Sequence, residues 1–361
     1  MADSILFFIG TYTTRLPHAD GKSKGIHAYR LDLTSGAMTH ASTRTGIVNP
    51  SYVTLDPQQR YLYAVTEAEA ENGTRGGAVS SFRVNRDNGE LTPINTQPSH
   101  GNGPCHVWVD GSGRWVLVAN YNSGSAAVYP IRDDGGLGEA SDIIQHEGSS
   151  VNPNRQEGPH AHCIMTDPSD HYVLIADLGI DKVMVYQLDG ENGKLSAVSW
   201  AQVEAGSGPR HIEFHPSGRY CFLINELAST ITVFAYDDGG LHAVQTISTL
   251  PADFSGQNTT AAIHVAPNGR FVYGSNRGHD SIAIFTFDEG TGQLTAAGHE
   301  STQGRTPRDF MIDPTGAFLL AANQDTDNIV SYRIDPQSGR LTPTGYMVEV
   351  PTPVCLKPVR P

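Results

Sequence analysis

A pattern of one strand, a turn rich in Asp, Asn and Gly, and a second short strand recurs seven times along this chain. Examples are GIHAYRLDLTSGAMT, DKVMVYQLDGENGKLS and NIVSYRIDPQSGRLT. In six cases a strand–turn–strand unit with a Pro or Gly turn precedes this hairpin, as in IEFHPSGRYCFLINE. Each repeat therefore predicts four consecutive antiparallel strands.

The repeats have the spacing of propeller blades. Their turn residues lie about 47 to 57 residues apart and are Asp56, Asp110, Asp167, His215, Ala266 and Asp313. This period is typical of four-stranded blades around a central channel. The seventh blade is split, since residues from Ile5 onward supply three strands and TPVCLKPV near the C terminus supplies the innermost one. Such a closure leaves no open sheet edge.

The sequence thus predicts an all-β fold, a seven-bladed β-propeller of four-stranded antiparallel blades, whose ring is closed by the C-terminal strand joining the N-terminal blade. We find neither helical periodicity nor a linker, so residues 1–361 are expected to form a single domain.

Composition excludes several classes of partner. A net charge of −14 without a lysine cluster argues against nucleic acid and anionic membranes. The apolar run Ile5–Ile9 is too short for a signal peptide or a membrane span and is predicted to be a strand. Four widely spaced cysteines fit reduced thiols, so we expect a cytoplasmic protein, monomeric or weakly homo-oligomeric.

The turn spacing also predicts which residues surround the channel. The innermost strand of each blade lines the channel, so a residue five before the turn residue should lie beside one eleven after it. These pairs are Ser51 with Glu67, Cys105 with Tyr121, His162 with Leu178, Arg210 with Glu226, Ala261 with Arg277, and Arg308 with Gln324. Charged groups and histidine at these positions predict a polar site at one rim.

Three arginines near one axis, Arg210, Arg277 and Arg308, predict a local positive field that would attract a small anion. Neighbouring positions add candidate substrate-binding residues, namely His106, His160, His211, Asn120 and Asn225. A structural interpretation stays open: Arg210 and Glu226 could form only a salt bridge, the asparagines could cap turns, and His106 or His211 could be buried structural residues.

A metal centre is the next alternative, because His160 and His162 in GPHAH could bind one together with His106 or Asp177. The arginines would repel a cation, so we predict no metal and no cofactor. A Cys105–His106 thiolate pair is also conceivable, although a cysteine buried on a strand is usually inert. The G-x-S-x-G elbow of serine hydrolases is absent from the sequence.

Several motifs resemble one known family across essentially the whole chain. They are FIGTYT, GPHAH (158–162), GSGPRHIEFHPSGRY (206–220), INEL (224–227), YGSNRGHDSI (273–282) and TPRDFMIDPTG (306–316). The chain resembles the propeller lactonase family of 6-phosphogluconolactonase, to which a fungal carboxymuconate cyclase is related. This resemblance implies an active site of His162, Arg210, Glu226 and Arg277.

The resemblance implies hydrolysis of a sugar lactone, 6-phosphoglucono-1,5-lactone, in the pentose phosphate pathway. His162 would activate water, Arg210 held by Glu226 would stabilise the oxyanion, and Arg277 with Arg308 would bind the phosphate or carboxylate. The alternatives are a lactonising enzyme acting on a muconate-type dicarboxylate and a non-catalytic propeller that binds protein.

Overall fold

The structure, a computed structural model, describes residues 4–68 and 76–360. The first strands, in chain order, are β1 Ser4–Thr11, β2 Arg15–Leu16, β3 Ala19–Asp20, β4 Gly25–Asp32, β5 Met38–Thr45, β6 Val53–Leu55, β7 Tyr61–Thr66, β8 Ala78–Val84, β9 Leu91–Pro98, β10 Pro104–Val109, β11 Trp115–Asn120, β12 Ser125–Pro130, β13 Asp142–Gln145, β14 Ala161–Thr166 and β15 Tyr172–Asp177.

The remaining strands, also in chain order, are β16 Lys182–Asp189, β17 Lys194–Gln202, β18 Pro209–Phe214, β19 Tyr220–Asn225, β20 Thr230–Asp237, β21 Gly240–Ser248, β22 Thr259–Val265, β23 Phe271–Arg277, β24 Ser281–Asp288, β25 Gln293–Ser301, β26 Pro307–Ile312, β27 Phe318–Asn323, β28 Asn328–Ile334, β29 Leu341–Glu349 and β30 Pro353–Pro358. One turn of 3₁₀ helix covers Gln324–Thr326. Among the residues described, no helix is long and apolar enough to cross a membrane.

Seven antiparallel sheets of four strands form the blades, and β2 with β3 forms a separate small hairpin. Blades 1 to 6 are β6–β9, β10–β13, β14–β17, β18–β21, β22–β25 and β26–β29. Blade 7 has the strand order β30-β1-β4-β5, so the C-terminal strand pairs with the N-terminal one. The predicted seven-bladed propeller and its closure are confirmed.

A recurring aspartate explains why four of the blades, those with Asp56, Asp110, Asp167 and Asp313, turn at the same place. Asp110 Oδ1 accepts hydrogen bonds from the backbone N–H groups of Arg114 and Trp115. Asp167 and Asp313 accept the equivalent bond from the first residue of the next strand. A carboxylate that satisfies backbone donors favours a tight turn over strand continuation.

The apolar core lies between the blades. One cluster joins Phe222 and Ile231 of blade 4 to Val272 and Phe285 of blade 5. The next cluster joins other blade 5 residues to blade 6, including Tyr332. Alternation along each strand sends apolar side chains to both neighbouring blades, and burial of this area holds the ring together.

An irregular register in the innermost strands places two consecutive residues at the channel. In β18, Pro209 pairs with Asn225 and His211 pairs with Ile224, which leaves Arg210 unpaired. The same shift leaves Cys105, His162 and Arg308 unpaired in blades 2, 3 and 6. A bulge of this kind re-aims a side chain that regular alternation would direct elsewhere.

The innermost strands and the residues directly before them therefore carry three rings, with one residue from each blade. Blade 7 has no such turn residue, so the residues of β30 are placed by its own bulge at Val354. The upper ring, five before the turn residue, is Ser51, Cys105, His162, Arg210, Ala261, Arg308 and Val354. The middle ring, four before it, is Tyr52, His106, Cys163, His211, Ala262, Asp309 and Cys355. The lower ring, two before it, is Thr54, Trp108, Met165, Glu213, His264, Met311 and Lys357.

Candidate active site

A pocket of about 450 Å³ opens at the upper mouth of the channel. Its walls come from three upper-ring residues, from residues at the ends of several second strands, from the hairpin β2–β3 and from connections between blades. The lining residues that carry charge or a titratable ring are His18, Glu67, Tyr121, Arg155, His162, Glu226, Arg277 and Arg308. Separate blades thus deliver imidazole, guanidinium and carboxylate groups to one cavity.

The Glu226 carboxylate is the centre of the charged network. Its Oε1 accepts a hydrogen bond of 2.6 Å from Arg155 Nη2. Its Oε2 lies 3.0 Å from both Arg210 Nε and Arg277 Nη2. Burial by itself would raise the pKa of Glu226, but Arg277, Arg210 and Arg155 outweigh burial and hold it well below its ordinary value. Glu226 is therefore a fixed anion that orients arginines, not a proton carrier.

Arg210 lies directly beneath the pocket and does not line it. Only 2% of the residue is exposed. Its Nε binds Glu226, and its Nη1 donates to the Ala261 carbonyl at 2.7 Å and to His211 Nε2 at 3.1 Å. The structure therefore does not support direct contact between Arg210 and an oxyanion, since Glu226 lies between the guanidinium and the cavity. Arg210 instead supports Glu226 from below.

Arg277 and Arg308 do face the cavity. Arg277 Nη2 donates to Glu226 and to the Thr260 carbonyl, while its Nε finds no acceptor among the residues described. Burial lowers the pKa of Arg277 to about 10, which still leaves it charged at neutral pH. The Arg308 guanidinium lies 5.5 Å from the Tyr12 ring centroid. Since the described part of the chain offers Arg308 no hydrogen-bond acceptor, its donors can bind a ligand.

His162 lines the same cavity and is 5% exposed. Its Nδ1 is buried without a hydrogen-bond partner among the residues described. Burial, and after it the charge of Arg210, lowers the pKa of His162 well below its ordinary value. The imidazole is therefore neutral at physiological pH and can accept a proton.

This lowered pKa predicts the pH dependence of any reaction in which His162 is the base. The protonated imidazole forms only when the pH falls below the depressed pKa, so kcat/KM should stay level from about pH 8 to about pH 6. The measurement is the pH profile of kcat/KM, corrected for spontaneous reaction. A loss of activity centred near the ordinary histidine pKa of about 6.5 would contradict the assignment.

The other predicted histidines lie outside the pocket lining. His106 and His211 belong to the middle ring, where their ring centroids are 5.5 Å apart. His211 Nε2 accepts from Arg210 and so carries its proton on Nδ1. The His160 ring stacks on Tyr121, and its Nδ1 lies 3.0 Å from the Tyr121 carbonyl oxygen. We therefore interpret these three residues as supports for the site, not as substrate contacts.

Asn120 and Asn225 are not brought to the pocket either. Asn120 Nδ2 donates to the Ser99 carbonyl of the preceding blade. Asn225 Nδ2 donates to Thr230 and Thr232 within its own blade. Both amide nitrogens are used by the fold, whereas both Oδ1 atoms are buried without a hydrogen-bond partner among the described residues. Neither side chain lines the pocket, so their predicted role in substrate binding stays a prediction without a contact in the cavity.

Sequence reasoning did not identify two parts of the site. Arg155 comes from the loop between β13 and β14, and the hairpin β2–β3 places His18 at the mouth. Burial lowers the pKa of His18 to about 4, and its Nε2 lies 3.2 Å from the Tyr12 hydroxyl. Neither residue stands at a repeated position, so the repeat gave no signal for them.

Glu67 lines the wall near Tyr12, and it did appear among the predicted channel pairs. The Tyr12 hydroxyl donates to Glu67 Oε2 at 3.0 Å, and the Ser51 hydroxyl donates to the same oxygen. Burial raises the pKa of the Cys105 thiol, which excludes a resting thiolate there. Within 4–68 and 76–360, no three His, Cys, Asp or Glu side chains converge as metal ligands.

A family model described as "Lactonase, 7-bladed beta-propeller" matches residues 6–358. The chain belongs to this lactonase family. It is 38% identical over 352 residues to a 6-phosphogluconolactonase of Bacillus subtilis strain 168, with 97% of each chain covered. A 6-phosphogluconolactonase of Formosa agariphila is 33% identical over 317 residues and covers 85% of this chain and 86% of its own.

Solved structures agree with this membership. The lactonase family member from Pseudomonas aeruginosa described as a periplasmic gluconolactonase superposes with a TM-score of 0.92. It is 35% identical, and the match covers 99% of both chains. Because the alignment spans the whole ring, all seven blades of the lactonase propeller are present in this chain.

Proposed function

We propose that this protein hydrolyses the ring ester of an anionic sugar lactone, with 6-phosphoglucono-1,5-lactone as substrate and 6-phosphogluconate as product. The observation that carries the proposal is the pairing, in one pocket, of a neutral imidazole with two guanidinium groups that have unused donors. Names of relatives in the family support the same reaction class.

Substrate binding depends on Arg308 and Arg277. Arginine donors match phosphate and carboxylate oxygens in a paired geometry, and a partly enclosed cavity strengthens the attraction. Arg308 has no competing acceptor among the described side chains, so we assign it the distant phosphate. A pocket of about 450 Å³ has the size of a small-molecule site.

Hydrolysis then proceeds through a tetrahedral intermediate. His162 takes a proton from water as the water oxygen bonds to the lactone carbonyl carbon. Arg277, which lines the cavity, donates to the oxygen that becomes negative. When the carbonyl re-forms, the ring C–O bond breaks and the imidazolium returns its proton to the leaving alkoxide. Glu226, backed by Arg210, holds Arg277 in place.

We also propose a cytoplasmic location and a place in the pentose phosphate pathway. The four cysteines are free and buried, which fits a reducing compartment. The Pseudomonas aeruginosa relative is described as periplasmic, so the family is not confined to one compartment. The monomeric or weakly homo-oligomeric state stays a prediction.

The direct test is a rate measurement on purified protein with a chelator present. We expect faster acid release from 6-phosphogluconolactone than the spontaneous rate. We also expect a kcat/KM about 10-fold or more above that for unphosphorylated gluconolactone, because a charged hydrogen bond is lost with the phosphate. If neither lactone is accelerated while a muconate-type dicarboxylate is converted to a lactone, the enzyme is a lactonising one. If nothing is turned over, the protein is a binding module.

A further inference from the structure

The lower mouth of the channel holds a second pocket of about 750 Å³, which shares no lining residue with the candidate active site. All seven lower-ring residues line it. Between the two pockets, the ring centroids of Tyr52 and His106 lie 4.2 Å apart, and those of His211 and His162 lie 5.3 Å apart. This aromatic layer separates the pockets, so the lower one is a site of its own.

Lys357 supplies an unpaired positive charge at one side of this pocket. Its ammonium donates to the Tyr52 hydroxyl at 3.0 Å and lies 4.7 Å from the centroid of that ring. No carboxylate in the described part of the chain lies within 4.0 Å of this ammonium. Asp309 and Tyr52 stabilise the charge of this ammonium, but it forms no direct ion pair with a carboxylate of the described residues. An incoming carboxylate would supply the missing partner.

Glu213 supplies a negative charge on another wall. Its side chain is 34% exposed, and Oε2 lies 3.6 Å from His264 Nδ1. It accepts no hydrogen bond from the residues that the structure describes. His264 Nε2 lies 3.6 Å from Asp309 Oδ1, so one imidazolium lies between two carboxylates and can offset the charge of only one of them. Glu213 therefore keeps acceptor capacity for a ligand cation.

His264 remains charged at neutral pH, but the two carboxylates beside it outweigh its charge, so it does not compete with Lys357 for a ligand anion. Burial alone would lower the pKa of His264, but Asp309 and Glu213 raise it to about 9. Asp309 is also committed, since its Oδ2 accepts from the Leu356 backbone N–H at 2.7 Å. The Lys357 ammonium therefore has no ion pair, and Glu213 has only the His264 imidazolium, which it shares with Asp309.

Lys357 and Glu213 lie on blades 7 and 4, which face each other across a seven-membered ring. The surface between them is apolar and includes Trp108, Phe214 and Met165. Trp108 Nε1 is satisfied by Thr166, which leaves the indole face available for packing. A matching ligand needs an anionic end, a cationic end and an apolar body between them.

We propose that the lower pocket binds a short zwitterion with an apolar body, of which an apolar dipeptide is the smallest probe. Its carboxylate would bind Lys357 and its ammonium would bind Glu213. The apolar side chains would pack on Trp108 and Phe214. This site is independent of lactone hydrolysis, so its test does not need catalytic activity.

The test is calorimetric titration of the whole protein with the dipeptide Leu-Phe, its C-terminal amide and its N-acetyl derivative. We expect saturable binding of Leu-Phe and at least about 10-fold weaker binding of each derivative, since each removes one charge-assisted contact. In Lys357→Met, the binding affinities for Leu-Phe and for its amide should differ by less than about 3-fold. Lys24→Met, which removes an exposed lysine, is the control and should keep the affinity difference between Leu-Phe and its amide at the value of the unaltered protein.

Three results would overturn the proposal. The first is no saturable binding of Leu-Phe, and the second is equal affinity for all three ligands. The third is loss of binding in Arg308→Met but not in Lys357→Met, which would place the peptide in the upper pocket. The comparison of the three ligands uses the unaltered protein, so it decides the question even if Lys357→Met does not fold.

Discussion

Replacing His162 with glutamine should lower kcat for 6-phosphogluconolactone by about 10² to 10⁴-fold, the usual contribution of a positioned general base. Glutamine keeps a polar group of similar size but cannot accept a proton at neutral pH. KM should change less than kcat, because phosphate binding is assigned to Arg308. The measurement is steady-state kinetics with subtraction of the spontaneous rate.

His160→Gln is the matched control for this variant. His160 lies two residues earlier in the same GPHAH segment, but its ring stacks on Tyr121 and does not line the pocket. We expect it to lose less than about 10-fold in kcat, well below a general base's contribution. If His162→Gln keeps kcat within about 5-fold of the unaltered protein, His162 is not the base.

Replacing Glu226 with glutamine should reduce both stability and activity. Arg155, Arg210 and Arg277 converge on this carboxylate, and an amide cannot neutralise them. Breaking a buried ion pair from one side costs about 3–5 kcal/mol of unfolding free energy. Loss of the fixed Arg277 orientation should lower kcat by about 10² to 10³-fold, as for removal of an oxyanion donor.

Denaturant unfolding and kinetics together test this prediction. For the unfolding measurement Arg155→Met is the comparison, because Arg155 is 39% exposed and Glu226 keeps Arg210 and Arg277 without it, so its removal should cost less unfolding free energy than Glu226→Gln. Added phosphate should raise the Tm of Glu226→Gln more than that of the unaltered protein, since it can bind the uncompensated guanidinium groups. If Glu226→Gln has the same unfolding free energy and the same kcat as the unaltered protein, the Glu226 carboxylate does not hold Arg277 in place.

The position of Arg210 shows where sequence reasoning reached its limit. The turn spacing correctly placed Arg210 at the channel and beside Glu226. It could not show that Glu226 and the Ala261 carbonyl cover the guanidinium, because those contacts come from the packing of neighbouring blades. In the mechanism that we propose, Arg277 and not Arg210 therefore donates the hydrogen bond to the oxyanion.

The bulges in the innermost strands are a second feature that the sequence pattern did not predict. Regular strand alternation would send only one of two consecutive residues to the channel. In blades 2, 3, 4 and 6 the register shift brings both, so that the upper and middle rings come from adjacent residues. Nothing in a period-2 pattern marks such a shift, although the motif GPRH and its equivalents recur at that place.

The sequence by itself determined the number of blades, the strand that closes the ring and the residues near the axis, because these follow from a repeat whose turns are set by local hydrogen bonds. Only the tertiary structure decided which axial side chains reach the cavity. Arg155 and His18 enter the pocket from connections that do not repeat, while Asn120 and Asn225 bond within and between blades. Side-chain exposure depends on contacts between distant segments, and local pattern carries no record of those contacts.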